Sequence, residues 1–150
     1  MKSTFEKWVH GMAKVTFEDN NIKLQEVMSE RITIALEEAA GELESQVKRN
    51  TRVDTGQTKN SWQHKVTGSM TEGQHIATVG SPLENAIWEE FGTGEYALNH
   101  DGRKNGWRYR DEKGDWHFTY GKKPSRALHN AVTTKKSKLI KIIADNLKDL

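Results

Sequence analysis

Residues 21–62 read NIKLQEVMSERITIALEEAAGELESQVKRNTRVDTGQTKNSW, and the first thirty of them decide the fold. Apolar side chains fall at Leu24, Met28, Ile32, Ala35, Leu36, Ala39, Leu43 and Val47. Steps of three and four place them on one stripe of an α-helix, with Glu26, Glu30, Glu37, Glu44 and Lys48 largely elsewhere. Thirty helical residues span ~45 Å, whereas a compact domain of this length has a radius of gyration of only ~15 Å. One end of the rod therefore projects, or the rod bends near Gly41, a mid-helix glycine costing about 1 kcal/mol against alanine. A projecting helix end needs a neighbour.

The stretch VDTGQTKNS at 53–61 contains Asp54-Thr55-Gly56, the triplet that surrounds the catalytic carboxylate of aspartic proteases. Such an enzyme needs two carboxylates within about 3 Å sharing a proton, which a single triplet supplies only in a homodimer. In those enzymes the triplet sits in a turn of a β-rich domain, and here a long helix precedes it. The stop-and-start signals favour a structural use: Asp54 or Thr55 caps a short helical turn, with Gln57 at capping-box spacing from Asp54.

Moving outward, Phe5, Trp8, Val9 and Met12 have helical spacing in an otherwise weakly patterned segment. Residues 1–20 thus read as a short amphipathic helix or a flexible docking arm ahead of a single domain spanning 1–150. After the triplet, SWQHKVTG and QHIATVG alternate as two strands joined by SMTEG, a hairpin connection. Ser81-Pro82-Leu83-Glu84 reads as a helix start, serine capping and proline in the first turn, and Gly92 as that helix's stop. WRYRDEKGDWHFTYG, residues 107–121, is the clearest hairpin. Its alternation is expected to put Trp107, Tyr109, Trp116, Phe118 and Tyr120 on one face, as sheet core or as interface anchors. Residues 125–150 return to helical spacing at Leu128, Val132, Leu139, Ile140, Ile143, Leu147 and Leu150, with a polar, basic gap at 133–138. The expected class is α+β: one antiparallel sheet of about four strands packed against a long N-terminal helix and a C-terminal helix.

Composition narrows the chemistry. The chain has 150 residues, no cysteine and a net charge of +2, so disulfides and thiolate metal sites are excluded. A dedicated nucleic-acid binder is disfavoured. No apolar run approaches the ~20 residues of a membrane-spanning helix, and no secretion signal is visible. Charge is unevenly placed: residues 1–100 carry 10 basic and 15 acidic side chains, residues 101–150 carry 13 and 6. Two such faces can meet in neighbouring copies. Six histidines, with His100, His117 and His129 in the C-terminal third, raise a small metal-dependent nuclease as an alternative. They lack a His-Glu-x-x-His or His-x-His arrangement and read as ordinary surface residues. Phe91-Gly92-Thr93-Gly94 is too short for a dinucleotide fingerprint and follows a helix. No metal and no cofactor are expected. Lys135, Lys136, Lys138 and Lys141 read first as a solvated face; a partner's acidic surface or passing DNA is the competing use, and a DNA-binding regulator the second alternative function.

Three segments together resemble a known family. Val53, Asp54, Thr55, Gly56 and Ser61 lie in the first, Glu90, Phe91, Gly92, Thr93 and Gly94 form the second, and Pro124 and Leu128 belong to the third. In order and spacing they are similar to the tail-completion, or head–tail joining, proteins of long-tailed bacteriophages, whose pattern is V-x-T-G-x-L-x-x-S, then E-F-G-T-G, then P-x-P-F-L. The likeness covers roughly residues 20–145. Thr58 stands where leucine is common, and Arg126 and Ala127 where proline and phenylalanine are usual. The resemblance implies a non-enzymatic virion protein of the neck, assembling as a ring, sixfold in relatives. Its implied partners are copies of itself, the head-closure protein and the tail terminator or tail tube. DNA in the channel would be contacted without sequence reading. On this reading Glu90 bonds loop amides, while the aromatic hairpin and the basic last helix meet neighbours.

Overall fold

The computed structural model describes residues 21–53, 56–69 and 73–148. The expected helix at Phe5–Met12 and the cap by Asp54 or Thr55 lie outside the described residues. The elements are α1 (Asn21–Asn50), α2 (Gln57–Ser61), β1 (Gln63–Ser69), β2 (Gln74–Gly80), α3 (Glu84–Phe91), a 3-10 turn (Gly94–Tyr96), β3 (Trp107–Arg110), β4 (Trp116–Thr119) and α4 (Ala127–Leu147).

Helix α1 runs through Gly41 as one element, and its stripe is buried at Ala35, Ala39, Ala40 and Val47. Residues 21–28 are all exposed, so the N-terminal end is the one that projects. Helix α4 lies antiparallel along α1. Asn50 Nδ2 donates to the Ala127 carbonyl (3.1 Å), and Asn146 Nδ2 to Glu38 Oε2 (2.8 Å). Between these two bonds, Lys138 and Lys135 reach Glu42 Oε1 at 2.8 and 3.1 Å. The two ammonium groups, Lys138 foremost, hold the Glu42 carboxyl below the usual range. The basic gap in the α4 pattern is therefore part of the helix, and two of its lysines fasten it to α1.

The core collects where the end of α1, the start of β1, α3 and the start of α4 converge: Val47, Trp62, Ala86, Ala127 and Ala131, flanked by Leu43 and Leu128. Alanine at three of these positions lets the helix backbones approach closely. Alternation in β1 and β2 turns His64, Val66, His75, Ala77 and Val79 towards α1 and leaves Lys65, Thr67, Ile76 and Thr78 exposed. His64 is gripped by α1: Nδ1 bonds Glu44 Oε2, and Nε2 lies 3.0 Å from Glu37 Oε2. Glu44, then Glu37, raises the His64 pKa above its ordinary value. His75 Nε2 meets Ser29 Oγ at 2.9 Å. These two histidines are half-buried contacts of the fold, not surface residues.

The α+β class holds, with one correction. The four strands form two separate two-stranded sheets, β1–β2 and β3–β4, instead of one. The chain leaving β4 is already engaged: the Glu95 N–H donates to the Tyr120 carbonyl and the Thr93 N–H to the Lys122 carbonyl, both at 2.9 Å. Backbone groups that would extend the ladder are used by the segment after α3. The start of α3 also differs. Leu83 holds the cap position, and Ser81 Oγ instead accepts the Leu83 N–H (3.1 Å) in a local turn.

Candidate assembly surface

The residues that carried the resemblance gather in two places. Gly56, with φ 81°, caps α2, a left-handed conformation open to glycine at no steric cost. Ser61 Oγ donates to the Thr58 carbonyl (2.7 Å) and meets Ser81 Oγ (2.6 Å), tying α2 to the approach of α3. Thr58, in the usual leucine position, accepts a bond from Asn85 Nδ2 (3.1 Å). Val53 is exposed.

The second gathering is a clasp between residues 89–95 and 120–129. Glu90 reaches across from α3 so that Oε2 accepts the Leu128 N–H and Oε1 the His129 N–H, both at 2.9 Å. These are orphan amides at the first turn of α4, where a negative charge also suits the helix dipole. The cap has to come from afar because the local cap residue, Arg126, makes no side-chain cap bond and sits at φ 54°. A proline at that place could not adopt this φ. Thr93 Oγ1 accepts the Lys122 N–H (2.9 Å), and the Ser125 N–H and Oγ both donate to the Glu89 carbonyl (2.7 and 3.0 Å). Buried Glu89 pairs with Lys122. Gly94, at φ 62°, has no room for a side chain: a Cβ there would lie 2.1 Å from the Tyr120 carbonyl oxygen. Pro124 Cδ lies 2.8 Å from where a Cβ on Gly92 would stand, and Leu128 flanks the core. Phe91 is 45% exposed.

The hairpin β3–β4 overturns the expectation that its five aromatics share a face. The register pairs Trp107 with Thr119, Arg108 with Phe118, Tyr109 with His117 and Arg110 with Trp116, and directly paired residues lie on the same side. Trp107 and Tyr109 therefore share a side with His117, and Tyr109 stacks on that imidazole at 5.3 Å. Trp116 and Phe118 lie on the other side with Arg108 and Arg110. The cause is the turn. Five residues separate Arg110 from Trp116, and Gly114 takes φ 91°, as in a hairpin with a glycine bulge. An even number would have united the aromatics; one residue more or less flips every side chain. Asp111 organises this turn, accepting the Lys113 and Asp115 amides on Oδ1 (2.9 and 2.8 Å) and facing His117 Nε2 from Oδ2 (2.8 Å). His117, then the Asp115 amide, holds its carboxyl below the usual range. The D-x-x-G spacing at Asp111–Gly114 was the signal for this.

Trp107 is half-buried against the Gly94 turn, and the other four aromatics are not core. Trp116 is 69% exposed and Phe118 57%, and Tyr109 and Tyr120 are also exposed, with Phe118 and Tyr120 in an edge-to-face contact at 5.1 Å. Aromatic rings beside arginines, in a fold already closed elsewhere, have the composition of a protein–protein interface. Of the four lysines proposed from sequence, half-buried Lys135 and exposed Lys138 bridge to Glu42 on α1, while Lys136 and Lys141 are exposed on α4. Helix α3 adds Ile87 and Trp88 to the exposed apolar surface. Among the described residues, no group of three or more His, Asp or Glu is arranged to hold a metal, and no helix is long and apolar enough to cross a membrane.

The sequence profile of the HK97-gp10-like family, described as "Bacteriophage HK97-gp10, putative tail-component", matches residues 4–92. The matched stretch covers α1 through the first residue of the Gly92-Thr93-Gly94 turn, more than half of the chain. No curated protein and no solved structure matches the chain at a significant level. The chain belongs to the HK97-gp10-like family of phage tail components.

Proposed function

We propose that this chain is a non-enzymatic tail-completion protein that forms a ring in the phage neck and joins the tail tube to the head-closure complex. The observation that carries the reading is the exposed side of β3–β4, where Trp116 and Phe118 stand largely in solvent beside Arg108 and Arg110. Family membership supplies the tail context. A head-to-tail ring needs two unlike patches on each copy, and the hairpin and the projecting end of α1 are unlike and well separated in the chain. The family motif supports a structural role: both Glu90 oxygens accept backbone amides of α4, and Gly92, Thr93 and Gly94 fix a turn. Copies of the chain, six in the ring, are its first partners. The head-closure protein and the tail terminator or tube protein are the others, and packaged DNA passes with sequence-independent contacts at most. The protein is made in the host cytoplasm and ends in the virion neck.

Electron microscopy of particles made with and without the gene tests this. Tailless heads beside loose tails are expected in its absence, with the protein found at the neck of complete virions. Finding the protein missing from purified virions, or placed in them away from the neck, would overturn the proposal.

A further inference from the structure

Trp107 and Trp116 stand on opposite sides of the β3–β4 hairpin, and their surroundings are complementary. On the Trp107 side, the ring joins Trp88 of α3, Ala97, Asp101 and Arg103 around a pocket of about 430 Å³, a size at which ligand sites are found. Its floor is held by close backbone contacts. A Cβ on Gly102 would lie 2.1 Å from the Gly94 carbonyl oxygen, and one on Gly94 2.9 Å from Trp107 Cζ3. The Leu98 N–H donates to the Phe91 carbonyl (2.9 Å), closing the loop that follows α3. The pocket is thus shaped before anything enters it, which lowers the cost of binding.

Charge at the rim is predominantly acidic in what it offers a partner. Arg103 lies over the Trp107 ring at 5.8 Å, so its cation already faces an aromatic surface. Asp101 is an exposed carboxylate at the pocket, and Glu84, also exposed, lies one turn before Trp88 on the same face of α3. The other side of the hairpin presents the converse: Trp116, the most exposed of its rings, beside Arg110, and Phe118 beside Arg108. A tryptophan carries about 150–250 Å² of surface to bury, and arginines beside it match an acidic rim. One chain cannot seat its own Trp116 in this pocket, because β3 and β4 themselves stand between the two. Unlike patches on opposite sides of one element suit a head-to-tail contact, whereas a two-fold dimer would use the same patch twice.

We propose that the pocket between α3 and β3 receives Trp116 of the neighbouring copy, with that copy's Arg108 and Arg110 at the Asp101 and Glu84 rim. The inference rests on the ring reading above and names the contact within it. The receiving patch is then this pocket and not the projecting end of α1.

The chain has no cysteine, so Lys104→Cys beside the pocket and Asp115→Cys beside Trp116 each introduce a single thiol at an exposed position. Particles are made from a mixture of the two single variants and treated with a short bismaleimide. A linked dimer is expected from the mixture and from neither variant alone. Adding Trp116→Ser to the Asp115→Cys chain, or Trp88→Ser to the Lys104→Cys chain, should cut its yield about tenfold or more. Trp116 is the safer of the two for folding, since its ring is 69% exposed. A dimer from Asp115→Cys alone would show hairpin meeting hairpin and overturn the proposal. A neck that holds the protein but gives no mixed dimer, or a yield indifferent to Trp116→Ser, would overturn this contact and leave the ring standing. A chain missing from the neck would bring down the ring reading itself, and this contact with it.

Discussion

The clasp at 89–95 and 120–129 and the hairpin at 107–119 adjoin in the chain and obey opposite rules. In the clasp, Glu90, Thr93 and Ser125 find backbone partners and a glycine faces a backbone oxygen too close for a side chain. In the hairpin, large aromatic rings stand in solvent beside arginines. Motif residues fall in the first region and anchor-like residues in the second. The difference teaches that a motif can mark how a subunit closes on itself, while the surface that meets other subunits carries only a composition.

The largest expected effect is at the clasp. Gly94→Ala places a Cβ 2.1 Å from the Tyr120 carbonyl oxygen at φ 62°, combining overpacking with a left-handed conformation costly to alanine. A loss of roughly 3–4 kcal/mol is expected in urea denaturation. A loss below about 1 kcal/mol would mean that the two loops are not held together and would erase the contrast with the hairpin.

Glu90→Ala comes next. It strips two α4 amides of their acceptor, for an expected cost of about 2 kcal/mol. Glu90→Gln should recover part of this, because its carbonyl can still accept one of the two bonds. Equal losses from both substitutions would shift the weight from hydrogen bonding to the carboxylate charge.

A third test separates the clasp from the other fastening, the grip of α1 on β1–β2 through His64. Its pKa is raised by Glu44 and Glu37 from an ordinary value of 6.5. Its contribution is therefore fully present below the ordinary value and lost as pH rises through the raised one. Glu44 is held low by Lys48 and His64, so its own contribution is present above its ordinary value of 4.5 and lost as pH falls through the lowered one. Stability from this grip should thus be greatest between those two ordinary values and fall on the alkaline side. His64→Gln should cost about 1–2 kcal/mol in mild acid, less in alkali, and flatten that fall. Melting temperatures across pH for both proteins check it; an unchanged alkaline slope in the variant would assign the drop elsewhere.

What the sequence made legible follows the range of each interaction. Helix α1 and the alternation of β1–β2 were readable because burial against one neighbour imposes a period of 3.6 or 2 on nearby residues, but that His64 and His75 belong to the inward face was not. The hairpin β3–β4 was readable as a hairpin, but its faces were not: they depend on the parity of the Asp111–Asp115 turn, and Gly114 was the one local clue. The separation into two sheets was not legible, because it rests on Thr93 and Glu95 meeting Lys122 and Tyr120 across nearly thirty residues. Glu90 as an acceptor of amides was anticipated from the family resemblance. That the amides belong to α4, where Arg126 cannot cap locally, appears only in three dimensions. The pairing of Lys135 and Lys138 with Glu42 was hidden for the same reason: a lysine run looks alike whether it faces solvent or a carboxylate on another helix.

The smallest expected effect on stability is also the sharpest test of the contrast. Trp116→Ser with Phe118→Ser removes two rings that are 69% and 57% exposed in the fold, so little apolar area returns to water when the chain is altered. Urea denaturation should move by no more than about 0.5 kcal/mol. If these rings are anchors, each loses its pocket on a neighbour, and losses on the order of 2 kcal/mol per anchor are expected in association. Chemical cross-linking of the concentrated chain, and the fraction of particles bearing tails, should then fall together while the melting temperature stays in place. A large drop in stability would instead put the hairpin with the clasp, as part of how one subunit closes. Unchanged stability with unchanged assembly would leave the rings without a role and move the interface elsewhere, with Ile87, Trp88 and Phe91 of α3 among the other exposed apolar residues.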